Sequence, residues 1–193
     1  HIRAKNRDRA LLFDHFGTSF NLQAHLSTAL PINQTTVFLQ LALRRTGSAD
    51  KNVHIRGLDS EGEVSFELII NADTSVAGEK RRLAYNHPQD GMTFFPQGYN
   101  QEIPYIADEP SPLEMASVRI DLSPSDNGYR VSFQGEQTWQ SDTIPFVADP
   151  TDLKSLEIVG SEISGIWFDN LLAVKNPETP PPPARVHGWW KLY

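Results

Sequence analysis

Apolar and polar residues alternate with a period of two through most of this chain, the pattern of strands buried on one face. Phe20, Leu22, Ala24 and Leu26 alternate with polar neighbours until Pro31 and Asn33 break the run. Val37, Leu39, Leu41 and Leu43 repeat the pattern and stop at Arg44-Arg45-Thr46-Gly47-Ser48, a turn by composition. Val53 and Ile55, then Asp59-Ser60-Glu61-Gly62, then Val64 to Ile70 predict a hairpin over 52–71. Ala116, Val118, Ile120 and Leu122 alternate outward to a turn at Ser123 to Gly128, and Tyr129, Val131 and Phe133 alternate back. Shorter strands are expected at 10–16, 81–85, Thr93 to Phe95, Glu102-Ile103, Thr138-Trp139 and Ser155 to Val159.

The run from Gly165 to Val174 is the most apolar in the chain and is too short for a membrane span, which needs roughly 20 apolar residues. It reads as a strand inside a sheet, with Asp169-Asn170 marking a bulge or register change. Between Asn86 and Pro112 prolines recur at 88, 96, 104, 110 and 112, so long loops are expected there. No useful helical period appears, and at most one helical turn is expected near Asp149 to Leu153. The pattern predicts an all-β fold, a two-sheet antiparallel β-sandwich of the jelly-roll kind.

Charge divides the chain. The total is −7, but residues 1–9 carry +3 and residues 176–193 carry +1, which leaves −11 on the body. The division predicts a basic N-terminal arm over 1–9, a sandwich domain over 10–176, and a Pro-rich linker and aromatic tail over 177–193. An acidic body lacks the basic face that phosphate recognition needs, so a nucleic-acid partner is not expected. Cysteine is absent, which excludes disulfides, thiolate zinc sites and a cysteine nucleophile. A start at His1 without an apolar leader suggests a processed, extracytoplasmic chain.

Particular stretches resemble a known family. They are Leu12-Phe13-Asp14-His15-Phe16, the strand Thr36 to Gly47, the hairpin Val118 to Leu122 with Tyr129 to Gly135, and the closing Ile166-Trp167-Phe168-Asp169-Asn170-Leu171. Together they resemble the concanavalin A-like lectin/glucanase superfamily, including its laminin-G-like members. The resemblance covers roughly residues 11–174 and implies two stacked antiparallel sheets. It does not imply one function, because the members include lectins, glycosidases, lyases and adhesion modules.

The candidate chemistry follows from these readings. The glucanase members carry Glu-x-Asp-x-x-Glu on one strand. Glu61 to Glu67 lacks the central Asp, and Glu63 and Glu67 would lie about 13 Å apart on one face, too far for a glycosidase pair. Both are expected on a solvated outer face. Related carbohydrate-binding jelly rolls share a calcium ion between the first and last strands, which makes Asp14 and Asp169 the candidate structural calcium ligands. The competing reading has Asp169 capping a bulge. Phe95, Tyr99, Asn100, Tyr105 and Trp139 sit in turn-rich sequence and suit sugar stacking. In the tail, Arg185, Trp189, Trp190, Lys191 and Tyr193 have the composition of an interface anchor or a membrane-surface contact. The reading that results is a non-catalytic structural or accessory subunit binding a protein partner of a larger assembly through its arms. The alternative is a carbohydrate-binding module using the 94–105 aromatics and Trp139.

Overall fold

The alternating stretches become the strands of two antiparallel sheets in the computed structural model. It describes residues 2–3, 11–13, 20–32, 35–43, 53–71, 82–95, 103, 114–123, 126–134, 138–160 and 166–175. In chain order the strands are β1 (Ile2–Arg3), β2 (Leu11–Phe13), β3 (Phe20–Pro31), β4 (Thr35–Leu43), β5 (Val53–Leu58), β6 (Val64–Asn71) and β7 (Arg82–His87). Then follow β8 (Gly91–Phe94), β9 (Ala116–Ser123), β10 (Gly128–Gln134), β11 (Thr138–Gln140), β12 (Ile144–Pro145), β13 (Asp152–Gly160) and β14 (Ile166–Lys175). One sheet runs β1-β2-β14-β4-β9-β10-β11, with β12 also paired to β10, and the other runs β3-β13-β5-β6-β7-β8. The described residues contain no α-helix.

The period-two faces meet between the sheets. Val37, Leu39, Leu41, Val118, Ile120 and Phe133 from the first sheet join Ile55, Phe66, Leu68, Ile70, Leu83 and Ile158 from the second in one buried cluster. Each such side chain stabilises the fold by about 1.5–3 kcal/mol relative to exposure. Gly57 lies on the inner face of β5, where an added Cβ would stand 2.2 Å from the Phe66 ring, so the ring occupies the space a larger residue would need.

The apolar closing strand β14 lies inside its sheet between β2 and β4, as its composition predicts. Its register slips between Asp169 and Leu172. Asn170 turns there with φ 50°, a left-handed conformation that Asn tolerates, and its N–H donates to Asp169 Oδ1 at 2.7 Å. The Asn170 amide also donates to Gln40 on β4, which fixes the bulge against its neighbour.

The stretch Asp149 to Leu153 is not helical; Asp152 opens β13 and accepts hydrogen bonds from the Ser60 N–H and hydroxyl at 2.9 and 2.7 Å. Those bonds and the pairing of Asp152 with Pro31 hold the segment extended. Within the basic arm, Ile2 and Arg3 pair with Phe13 and Leu12, so this part of the arm is sheet. Ile103 is buried but belongs to no strand, and the other residues of 96–113 lie outside the described ones.

Candidate functional site

The outward-facing side chains of the six-stranded sheet form two parallel rows. Strand alternation puts Ile55 and Phe66 in the core, so their neighbours His54, Arg56 and Glu67 point away from it. The hairpin turn sets the register between them. Asp59 Oδ1 accepts the N–H groups of Glu61 and Glu63, both at 2.9 Å, while Gly62 takes φ 88°, a conformation that favours glycine. Arg56 therefore lies opposite Glu67, and His54 opposite Ile69. The Ser60–Asp152 contact ties the same turn to β13, where Glu157 pairs with Arg56 on one side and Gln23 on the other.

The first row is polar. It runs Gln23, Glu157, Arg56 and Glu67 through successive cross-strand pairs; Asn86 then reaches Glu67 from β7 and pairs with Met92 on β8. Five strand spacings make it roughly 24 Å long at ~4.8 Å each. Its members are interlocked. Arg56 Nε donates to Glu67 Oε1 at 2.5 Å, His54 Nδ1 lies 2.8 Å from the same oxygen, and Asn86 Nδ2 donates to Oε2 at 2.7 Å. Arg56 also lies 3.5 Å from Glu157 Oε2, and Asn21 Nδ2 donates to Glu157 Oε1 at 2.7 Å. The second row, Asn21, Val159, His54, Ile69, Ala84 and Phe94, is mostly apolar. Its middle is buried, while Val159, His54 and Phe94 are half-buried and Asn21 is exposed.

Glu67 is the hub, and it corrects the expectation of a solvated carboxylate. Only 4 % of it is exposed. Burial pushes its pKa up, but the hydrogen bonds from His54 and Arg56 and their charges outweigh burial, and the group is lowered from 4.5 to about 2. Glu63, by contrast, is exposed, as expected. The backbone of Glu67 is also held from below. Tyr129 of β10 crosses the core and donates its hydroxyl to the Glu67 carbonyl at 3.5 Å. Burial raises the Tyr129 pKa far above the ordinary phenol value, so this donor stays protonated. The arrangement offers donors and acceptors in fixed positions. His54 and Arg56 keep about a quarter to a third of their side-chain surface open, at 27 and 30 %.

Of the site residues expected from the sequence, Phe95, Trp139 and Asp169 are among those described. Phe95 is 2 % exposed, and its ring lies 5.0 Å from Tyr85 and 4.9 Å from Trp139. Trp139 stacks on Phe133 at 5.4 Å and 12° and packs against the core cluster. These two rings plug the sandwich between β8 and β11 and lie apart from the polar row. Asp169 caps the bulge of β14. Tyr99, Asn100, Tyr105, Asp14, Arg185, Trp189, Trp190, Lys191 and Tyr193 lie outside the described residues. No group of three or more metal-ligating side chains occurs among the described residues.

The residues that sequence reasoning missed are His54, Arg56, Asn86 and Glu157. A signal was present in His54-x-Arg56, two polar outward positions on a strand whose hairpin partner carries Glu67 in register.

No family model matches the sequence, and no curated protein matches it. Solved structures do. A sialidase matches with a TM-score of 0.55 at 10 % identity over 86 % of this chain, and this chain spans 15 % of the sialidase's length. A legume lectin-like domain from Entamoeba histolytica matches with a TM-score of 0.50 at 12 % identity, covering 86 % of this chain and 84 % of the domain. A tetrameric galectin from the ball sponge Cinachyrella reaches 0.49 at 12 % identity over 79 % of this chain and 98 % of its own. The fold is a concanavalin A-like jelly roll, as the resemblance implied. Enzymes and lectins share it, so the fold leaves the question of catalysis open.

Proposed function

We propose that this chain is a carbohydrate-binding β-sandwich whose ligand lies on the outer face of the six-stranded sheet, along the polar row. The observation that carries the reading is the hydrogen-bonded row Glu157–Arg56–Glu67–Asn86 beside a half-apolar row. A sugar presents hydroxyls, each a donor and an acceptor, around a ring with apolar C–H faces. Arg56, His54 and Asn86 supply donors held rigid by Glu67, and Met92, 43 % exposed, supplies apolar surface at the β8 end. Rigid polar side chains lose little rotamer entropy when a ligand arrives, which favours weak neutral ligands.

The chemistry supports binding over hydrolysis. A glycosidase acid needs a carboxyl group that holds its proton near neutral pH. Glu67 has the opposite tuning, with its pKa lowered to about 2 and both oxygens engaged. A glycan array probed with the full chain tests the reading. Specific binding that weakens about tenfold in His54→Ala and in Asn86→Ala is expected, the scale of one lost polar contact. Binding untouched by both variants, or abolished by Trp139→Ala in a folded protein, would place the ligand elsewhere.

A further inference from the structure

The charge pattern of the row selects among glycans; this inference rests on the function proposed above. Among the described residues of the two rows, Arg56 is the one permanently charged cation. It is already compensated twice, with Glu67 2.5 Å from Nε and Glu157 3.5 Å from a terminal nitrogen. The polar row holds two carboxylates, Glu157 and Glu67, against the one guanidinium of Arg56. Lys154 and Glu63 are outside these rows, and the body of the chain is acidic.

An isolated arginine on such a face would be a receptor for a uronate, sialate or sulfate group, which it binds through paired N–H donors. Arg56 is not isolated. An incoming anion would have to displace Glu157 or lie beside two fixed carboxylates, and like charges in contact are strongly disfavoured. A neutral hydroxyl meets no such conflict, since it accepts from the remaining guanidinium N–H groups and donates to a carboxylate oxygen of Glu157. Glu157 is well placed for this role. It is half-buried, and Asn21 holds its Oε1 at 2.7 Å while Oε2 faces Arg56. We infer that the face recognises uncharged glycans, and that Glu157 is the residue that sets this selectivity by turning Arg56 from an anion receptor into a hydroxyl donor. Rejection of the wrong ligand by a fixed repulsive group is a common source of specificity.

The test uses paired oligosaccharides of equal length that differ by oxidation at C6: galactose with galacturonate, glucose with glucuronate, and mannose with mannuronate. Titration calorimetry at low salt is done on the full chain and on Glu157→Gln, whose amide oxygen still accepts from Asn21. In each pair that binds, the wild type is expected to prefer the neutral member by roughly tenfold or more, the scale of one like-charge contact at a partly open site. Glu157→Gln should shrink that ratio by gaining affinity for the uronate. A wild-type preference for uronates, or a ratio unchanged in a folded Glu157→Gln protein, would overturn the inference. If uronates bind and His54→Ala abolishes that binding, the face remains the glycan site and only the selectivity falls. If no member of any pair binds, the function and the inference fall together.

Discussion

Glu67→Gln is the substitution with the most to lose at the least change in shape. In the wild type the Glu67 pKa falls from 4.5 to about 2 on folding, because the His54 and Arg56 contacts outweigh burial. A shift of that size corresponds to about 3 kcal/mol at ~1.36 kcal/mol per pKa unit. The folded-state pKa lies below the unfolded one. The contribution is therefore complete above about pH 4.5 and is lost as pH falls from there through about 2, at up to ~1.4 kcal/mol per pH unit. Gln keeps the volume and can accept from Arg56, but it removes the titrating charge. At neutral pH the variant should be less stable by up to about 3 kcal/mol, or roughly 6–12 °C in Tm for a chain of this size. Urea unfolding followed by tryptophan fluorescence, in steps between about pH 7 and pH 3, measures both proteins. Other carboxylates titrate in the same range, so the decisive quantity is the difference between the two curves. That difference should be constant above about pH 5 and close progressively below it. Parallel curves down to about pH 3 would refute the account of Glu67 as the charged hub.

Further outcomes are expected elsewhere. Gly57→Ala, with its Cβ 2.2 Å from the Phe66 ring, should lower stability by about 1–3 kcal/mol through overpacking, measured by the same unfolding assay. Trp139→Ala should cost about 3 kcal/mol by removing the ring between Phe95 and Phe133, yet leave any glycan affinity unchanged. Asp169→Ala should cost about 1 kcal/mol by unlatching the Asn170 N–H, by the same amount with and without a calcium chelator; a loss that vanishes in chelator would instead make Asp169 a calcium ligand.

The sheet was more legible in the sequence than the site. Residues 53–58 and 64–71 alternate so regularly around Asp59 to Gly62 that hairpin, turn and inward faces all follow from pattern. The bulge at Asn170 was legible too, because Asp-Asn interrupts an otherwise apolar strand. Glu67 was not. Alternation assigns it to the outer face, but a period of two says nothing about what else stands on that face. Its partners come from 11, 13 and 19 residues away through pairing across strands. Glu157 joins from the opposite end of the chain. The burial of Phe95 was not legible for a related reason. Its neighbours Pro96, Gly98 and Pro104 mark a loop, yet Phe95 follows β8 by one residue and keeps that strand's inward phase.

The interleaving of inward and outward residues along β5 and β6 separates two kinds of inheritance. Ile55, Phe66 and Leu68 answer to the core, while His54, Arg56 and Glu67 between them answer to whatever meets the face. A drift at the outward positions alters recognition and leaves the inward set, and so the architecture, intact. The separation is incomplete at one point, where the Tyr129 hydroxyl reaches the Glu67 carbonyl from the opposite sheet. A lineage can therefore rewrite what the face recognises by exchanging alternate residues on four or five strands. It need not relearn how to fold, and the backbone beneath Glu67 is where such a revision would first meet resistance.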